Sequence, residues 1–345
     1  MNALLRKSLY VVESLVYGFS YGALRGLIRQ PEPLDPEWTW NLINRELPPF
    51  IDWWRVNYPP VFARRLLLAA KMKQDHWLGI SEHYDVSNEF YELFLDKKHM
   101  FYSCADFVHG NETLEEAQTA KANFLLKLID PKPGERLLDL GCGWGAMLQR
   151  IYEETGDKEN LVGYTLGKEQ VVYNAAHRGF QVEPRNFITC TYPAEAFDKV
   201  YSIGAWEHVR HRDLETLLGK LFSTLKPGGR LVNHFFCPRS ETVPAAALVA
   251  QIFFPGSFQP AYPTQLRAFE DAGFRITHQS IHDYRPTLRA WFDNLVQNRD
   301  KAIELVGVQT YNKYLVFFPA SWRFFHESES MLVRFVLEKP VGHDR

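Results

Sequence analysis

Hydrophobic and polar positions alternate in two different rhythms along this chain. Up to about residue 75 the rhythm is helical, interrupted at Pro31-Glu32-Pro33 and again at Pro48-Pro49. Trp53-Trp54 and Tyr58-Pro59-Pro60 read there as loop or packing aromatics. From about residue 120 the pattern changes. Ala117 to Ile129 has helical periodicity and stops at the turn cluster Asp130-Pro131-Lys132-Pro133-Gly134. Short apolar runs then alternate with helical stretches: Arg136–Leu140, Leu161–Leu166, Asn186–Cys190, Lys199–Ile203 and Gly229–Phe236. Strands interleaved with helices predict a parallel sheet covered on both faces. Two late strands, Phe274–Asp283 and Met331–Lys339, are expected to close it with an antiparallel edge.

The connections are uneven. About 238–273 and 285–330 are both too long for ordinary loops, and the second is mostly helical. They are expected to be lid insertions over a crevice at the carboxyl ends of the strands. Within the first, Ala245 to Phe254 is apolar on nearly every face. Such a segment suits a core helix or the lining of the lid. The predicted organisation is a helical N-terminal region (1–75) that contacts membrane or partner, followed by an α/β domain (76–345).

One turn carries chemistry. The strand ending at Asp139-Leu140 runs into Gly141-Cys142-Gly143-Trp144-Gly145, then into helical Ala146 to Glu154. Glycine at alternate positions lets the backbone approach a ligand, because no Cβ intervenes. The following helix offers unpaired N–H groups. The spacing is G-x-G-x-G, not the G-x-G-x-x-G of dinucleotide enzymes. With the preceding Asp139 it reads as the nucleoside-binding turn of a class I S-adenosylmethionine-dependent methyltransferase. The expected fold is therefore a Rossmann-like class I methyltransferase sheet, with the glycine turn at the first strand end, where ligands bind in such sheets.

Composition narrows the setting. The 345 residues are 46% apolar and 14% aromatic, enough for one large domain with additions or for two domains. The net charge of −2 provides no general attraction for nucleic acid. The four cysteines, Cys104, Cys142, Cys190 and Cys237, form no C-x-x-C pair, so neither a metal site nor a disulfide framework is expected, and a reducing cytoplasm fits. The best apolar stretch, Leu9 to Ile28, contains Glu13 and Arg25 and falls short of about 18 uninterrupted apolar residues. With Arg6, Lys7, Arg25 and Arg29 flanking Leu9, Val11, Val12, Leu15, Val16 and Phe19, it suits amphipathic helices lying on a bilayer or packed on a domain or partner subunit. The expected location is cytoplasmic, peripheral on the inner face of the membrane.

Several further blocks occur in a fixed order: His83-Tyr84-Asp85-Val86-Ser87-Asn88-Glu89-Phe90-Tyr91, Phe101-Tyr102-Ser103-Cys104-Ala105, Thr113-Leu114-Glu115-Glu116-Ala117-Gln118, Thr165-Leu166-Gly167-Lys168-Glu169-Gln170, Trp206-Glu207-His208-Val209, His234, and Tyr284-Arg285-Pro286-Thr287-Leu288-Arg289-Ala290-Trp291. Together they resemble the cyclopropane-fatty-acyl-phospholipid synthase family, which includes the mycolic-acid cyclopropane synthases, from about residue 76 to 339.

The resemblance implies an enzyme in which an alkene of an unsaturated phospholipid or other lipid attacks the sulfonium methyl of S-adenosylmethionine. A bound bicarbonate then removes a proton from the delivered methyl and the ring closes. It assigns Cys104, Glu207, His234 and Tyr284 to the reaction and Tyr102, Ser103, Gly141, Gly143, Thr165, Leu166 and Gln170 to the cofactor. The chemistry is coherent in itself, since an alkene has no proton to lose before attack and needs a base only afterwards. Glu207 can accept from the bicarbonate hydroxyl, and His234 and Tyr284 can donate to its oxygens. Gln170 stands in for the acidic ribose ligand common in other class I enzymes.

Other readings stay open. The cation could be quenched without ring closure, giving a C-methylated lipid. His234-Phe235-Phe236-Cys237 is also similar to plant benzylisoquinoline N-methyltransferases, which implies small-molecule N-methylation. A non-catalytic scaffolding subunit would need neither the intact glycine turn nor the Glu207 and His234 pair. Three departures bear on the substrate: Phe236 where the family has a small or aliphatic residue, Arg210 for a common glycine, and Tyr192 in place of a tryptophan beside adenine. A homodimer is left open.

Overall fold

The structure, a computed structural model, describes residues 3–72 and 87–342. The His83–Val86 part of the first motif block lies outside the described residues, as do the side chains of Arg6 and Lys7. The chain divides into two compact units. One comprises 95–241, 259–287 and 330–345; the other comprises 1–94, 242–258 and 288–329.

The first unit is built on a seven-stranded sheet: β1 (Leu137–Leu140), β2 (Leu161–Thr165), β3 (Gln181–Pro184), β4 (Phe197–Ile203), β5 (Leu225–Pro238), β6 (Arg275–His282) and β7 (Ser330–Glu338). Their spatial order is β3-β2-β1-β4-β5-β7-β6. The first five are parallel, and β7 runs antiparallel between β5 and β6. Central strands β1 and β2 are buried along their whole length, as continuous apolar runs require when helices cover both faces. Edge strand β6 alternates exposed and half-buried positions. The helices Leu114–Ile129 and Ala146–Thr155 pack Ala122, Leu125, Ile129, Leu148 and Ile151 into one core with Leu137 and Leu161. The first of these begins earlier than its apolar periodicity predicts. Thr113 Oγ1 accepts from the Glu116 N–H, and the Glu116 carboxylate accepts from the Thr113 N–H at 2.8 Å, a reciprocal cap.

Six of the seven predicted strands fall where the apolar runs place them. The third does not. The edge strand is Gln181–Pro184, and Asn186–Cys190 forms a turn instead. A four-residue edge strand with only Val182 packed on the core needs little apolar content, so its polar sequence conceals it. The run Phe187-Ile188 is buried, but in a turn in which the Asn186 side chain accepts from the Ile188 N–H at 3.0 Å.

The second unit is helical. Its helices include Ala3–Tyr17, Phe19–Ile28, Pro36–Asn44, Pro49–Asn57, Val61–Lys71 and the long Arg299–His326. The proline-marked breaks lie where expected, and Asp35 caps the helix that follows the first. Asn312 ties down the first break: its side chain accepts from Leu34 N–H at 3.0 Å and donates to Glu32 C=O at 3.0 Å. Phe90, Tyr91, Phe94, Trp291, Tyr314 and Phe318 form an aromatic core. Trp53 and Trp54 are not loop residues. They belong to the helix Pro49–Asn57, on which no residue is buried. Among the described residues no helix is long and apolar enough to cross a membrane.

Candidate active site

The glycine turn follows β1. Gly141 has φ +89°, and a Cβ there would lie 2.3 Å from the Cβ of Ala205, so this glycine exists for close packing against the end of β4. Gly143 differs. At φ +53° its missing Cβ would face open space, with Gln170 Nε2 the nearest atom at 4.0 Å. Its carbonyl is held by Asn174, whose side-chain amide donates to Gly143 O at 2.9 Å and to Gln170 O at 2.8 Å. Beyond β2, Thr165 Oγ1 donates to Gln170 Oε1 at 2.5 Å and accepts from the Gly167 N–H. Leu166 beside it is 43% exposed, an apolar side chain left uncovered at the strand end. Gly143, Thr165, Leu166 and Gln170 thus surround one space at the carboxyl ends of β1 and β2.

Tyr102 and Ser103 reach the same end of the sheet at β4, where a Cβ on Gly204 would lie 2.9 Å from Ser103 Cβ. Ser103 is fixed from behind. Lys121 Nζ donates to Ser103 Oγ at 2.8 Å, and Gln118 Nε2 donates to its carbonyl at 3.0 Å. Lys121 is fully buried and sits 3.3 Å from the Phe101 ring centroid. Burial pulls its ammonium down to about 7, opposed by Asp96.

Glu207, in a short 3₁₀ turn after β4, is buried. Its Oε1 accepts from the Phe236 N–H at 3.3 Å, and its Oε2 has no partner among the described residues. Burial pushes the carboxyl up to about 8, opposed by its own backbone N–H and that of Phe236. His234 on β5 is 1% exposed. Its Nδ1 accepts from Arg334 Nε at 2.8 Å, and its Nε2 has no partner among the described residues. The Tyr284 ring lies edge-on to Phe236 with centroids 6.3 Å apart. Cys104 is fully buried. Its thiol donates to the carbonyls of Ala105 and Asp283, the residue before Tyr284. Burial raises that thiol to about 12, opposed by the charge of Arg334, so it remains an un-ionised thiol and not a nucleophile.

All four residues assigned to the reaction, and all seven assigned to the cofactor, therefore lie in the sheet unit near the strand ends. Gly204 and Ala205 join the two groups: Gly204 N–H donates to His234 C=O at 2.9 Å, and Ala205 packs on Gly141. The Phe236 backbone is already engaged, by Glu207 on its N–H and by Gln259 Nε2 on its carbonyl at 3.1 Å. Arg210 turns away to an ion pair with Asp213 at 3.1 Å. Tyr192 lies beside Tyr164, centroids 6.2 Å apart, with its hydroxyl donated to Phe187 C=O. No cluster of residues able to hold a metal occurs among the described residues.

Sequence reasoning overlooked four supporting residues: Asn174, Lys121, Asp106 and Arg334. Arg334 left a trace, as the only charge in the apolar run Met331-Leu332-Val333-Arg334-Phe335-Val336-Leu337. A lone charge in a buried strand signals a buried partner.

This sheet order, with its antiparallel seventh strand and its glycine turn after β1, defines a class I S-adenosylmethionine-dependent methyltransferase. The chain belongs to the mycolic acid cyclopropane synthetase family, whose profile matches residues 71–335. Cyclopropane mycolic acid synthase 3 of Mycobacterium tuberculosis is 31% identical over 283 residues, covering 76% of this chain and 98% of that protein. Hydroxymycolate synthase MmaA4 of Mycobacterium tuberculosis is 34% identical over 258 residues, covering 68% of this chain and 84% of that protein. The structure of mycolic acid cyclopropane synthase CmaA1 complexed with SAH and CTAB superposes with a TM-score of 0.68 at 28% identity, covering 77% of this chain and 99% of that one.

Proposed function

We propose that this enzyme adds a methylene across the double bond of an unsaturated lipid acyl chain, giving a cyclopropane, with bicarbonate as the bound base. S-adenosylmethionine supplies the electrophilic methyl on its sulfonium. Gly141, Gly143, Thr165, Leu166, Gln170, Tyr102 and Ser103 would hold it, and the uncovered side of Gly143 facing Gln170 is a fit for a nucleoside. The observation that carries the reading of the base is the pair of buried polar atoms, Glu207 Oε2 and His234 Nε2, without partners among the described residues. Buried polar atoms usually have a hydrogen-bond partner, water or ligand included, and these two would share one. A bicarbonate would accept from His234 and Tyr284 and place its hydroxyl on Glu207. Cys104 would border the site as an un-ionised thiol and not as a bond-forming sulfur, its one proton already directed to backbone carbonyls.

The relative named hydroxymycolate synthase motivates a second reading: the same cation trapped without ring closure. Expression in a bacterium lacking such enzymes separates the two. A fatty acid heavier by one CH₂ with high-field ring protons supports cyclopropanation. A hydroxylated or methyl-branched product supports the second reading, and unchanged lipids with a methylated amine product would overturn both.

We further propose that the helical unit meets the lipid surface. Val11, Val12, Leu15, Val16 and Phe19 are exposed, and Tyr58 donates to Leu15 C=O, joining this strip to Trp54 and Trp53 through ring contacts of 5.5 and 6.0 Å. Phe50, Phe62 and Leu66 are about 70% exposed. Exposed apolar side chains on this scale mark an interaction surface, and tryptophan suits a bilayer interface. Arg25 and Arg29, expected to face anionic lipid, both pair with Glu13, at 3.6 and 2.6 Å. Apolar contact therefore has to supply most of the attraction.

A further inference from the structure

His234 is held by a chain of three side chains from separate parts of the sheet unit. Arg334 of β7 stands directly across from His234 of β5 in the antiparallel register. It is fully buried, and its two terminal nitrogens donate to both oxygens of Asp106 at 2.8 and 2.6 Å. This fork geometry leaves the guanidinium one remaining direction, and Nε–H points along it to His234 Nδ1 at 2.8 Å. Phe124 covers the guanidinium face, 4.9 Å from its carbon, and His282 closes on Asp106 from β6 at 3.5 Å.

An arginine has five N–H donors and no acceptor. The nitrogen that receives its Nε–H must therefore carry a lone pair, and the proton of a neutral imidazole must sit on Nε2. A second proton would have to enter at Nδ1, against the Arg334 donor. The groups that act on the ring, Arg334, Lys121 and His282, all oppose a second proton, the nearby Asp106 is already paired with Arg334, and Glu207 faces the ligand at the Nε2 side rather than Nδ1. Burial first, then the charges of Arg334, Lys121 and His282, hold the imidazole well below its ordinary range. Asp106 keeps its charge. Burial alone would raise its carboxyl, but hydrogen bonds from His282 and Arg334 and the guanidinium charge bring it to about 2.

We infer that Arg334, braced by Asp106, is a positioning residue that locks His234 as the Nε2–H tautomer, making His234 a permanent hydrogen-bond donor and not a proton acceptor. The inference builds on the assignment of His234 to the ligand site. It also specifies that site. What meets His234 Nε2 must present an acceptor, as an oxyanion or carbonyl oxygen does, and any proton leaving the substrate must go to the ligand or to Glu207. A protonated amine would find a donor facing a donor.

The test is the protonation state of His234, read in the full-length protein by long-range ¹H–¹⁵N NMR. The wild type should show one pyrrole-like and one pyridine-like nitrogen, with the proton on Nε2, unchanged from about pH 5 to pH 8. A proton on Nδ1, or an imidazolium signal at neutral pH, overturns the inference, and neither measurement requires a variant to fold. Arg334→Met should let the ring titrate towards its usual value of about 6.5. Its turnover should fall about 10–100-fold, as for loss of other partners that orient a site histidine, and a new limb should appear in its pH profile. Arg334→Lys, which keeps the charge on Asp106 but lacks the fork, should retain the fold and reproduce the NMR change. If Arg334→Lys keeps the wild-type tautomer and pH profile, Arg334 serves structure alone. Failure of the functional reading is seen separately: a locked Nε2–H tautomer together with no ring-bearing lipid would remove the cyclopropane assignment and leave this inference standing.

Discussion

The two units of this chain treat polar and apolar groups in opposite ways. The sheet unit buries Asp106, Lys121, Glu207, His234 and Arg334, groups that ordinarily stay in water. The helical unit leaves Val12, Leu15, Phe19, Phe50, Trp53, Phe62 and Leu66 exposed, groups that ordinarily leave water. Each departure opposes stability, so each needs a reason. In the sheet unit Asp106 and Arg334 satisfy one another, whereas Glu207 Oε2 and His234 Nε2 are among the buried polar atoms with no partner among the described residues. In the helical unit the uncovered apolar faces want a surface. On the proposed function, the first departure serves a small anion and a nucleoside, and the second serves contact with something extended and apolar.

The largest effect should come from the buried side of this contrast. Glu207→Gln keeps the shape and removes the titratable carboxyl. Turnover should fall about 10²–10⁴-fold, the usual loss of a positioned general-base system, and His234→Ala should behave similarly. Depleting dissolved carbon dioxide should slow the wild type, with bicarbonate restoring it. Full activity of Glu207→Gln in bicarbonate-depleted buffer would sink the bicarbonate assignment.

Next come the two glycines. Gly141→Ala sets a methyl 2.3 Å from Ala205 and should lower the melting temperature markedly. Gly143→Ala meets open space and carries only the strain of φ +53°, about 1–2 kcal/mol. It should instead weaken S-adenosylhomocysteine binding, measured by calorimetry, with a small change in melting temperature. Equal affinity in wild type and Gly143→Ala would break the nucleoside reading of the turn.

The exposed side of the contrast is tested with vesicles. Trp53→Ser with Trp54→Ser should reduce vesicle binding on the order of tenfold, through lost apolar area, while cofactor affinity stays the same. Deletion of residues 1–30 should do likewise. Because Arg25 and Arg29 are engaged by Glu13, phosphatidylglycerol content should matter less than total lipid. Undiminished binding by these variants would assign the apolar strip to packing between copies of the chain.

A further effect is expected on stability against pH. Folding raises the Glu207 carboxyl from an ordinary value of about 4.3 to about 8. The folded state thus binds the proton more tightly, its stability is fully present below about pH 4.3, and it is lost as pH rises towards 8. Glu207→Gln should flatten this dependence, so melting temperatures of variant and wild type should diverge between pH 5 and pH 8 in favour of the variant. Parallel curves would mean that Glu207 is ionised throughout.

Most of the fold was legible because apolar runs in a covered parallel sheet are long and unbroken, as in β1, β2 and β4. Strand β3 escaped for the converse reason: at the sheet edge, Gln181-Val182-Glu183-Pro184 offers only the partly buried Val182 to reveal it. The candidate site was legible through short motifs whose members sit near one another in sequence, such as Gly141 with Gly143 and Thr165 with Gln170. Its supports were not. Asp106 and Arg334 stand 228 residues apart, and Arg334 and His234 stand 100 apart.

The sequence by itself determined most of the strands and helices, the glycine turn, and the identities of many groups brought to the strand ends. Periodicity and backbone freedom are local properties, and local chemistry encodes them. Only the tertiary structure decided which nitrogen of His234 bears the proton, that burial raises the Glu207 carboxyl above its ordinary range, and that Arg25 and Arg29 are taken by Glu13. Protonation and pairing depend on burial and on charges a few ångströms away, and distance in space is not written in distance along the chain.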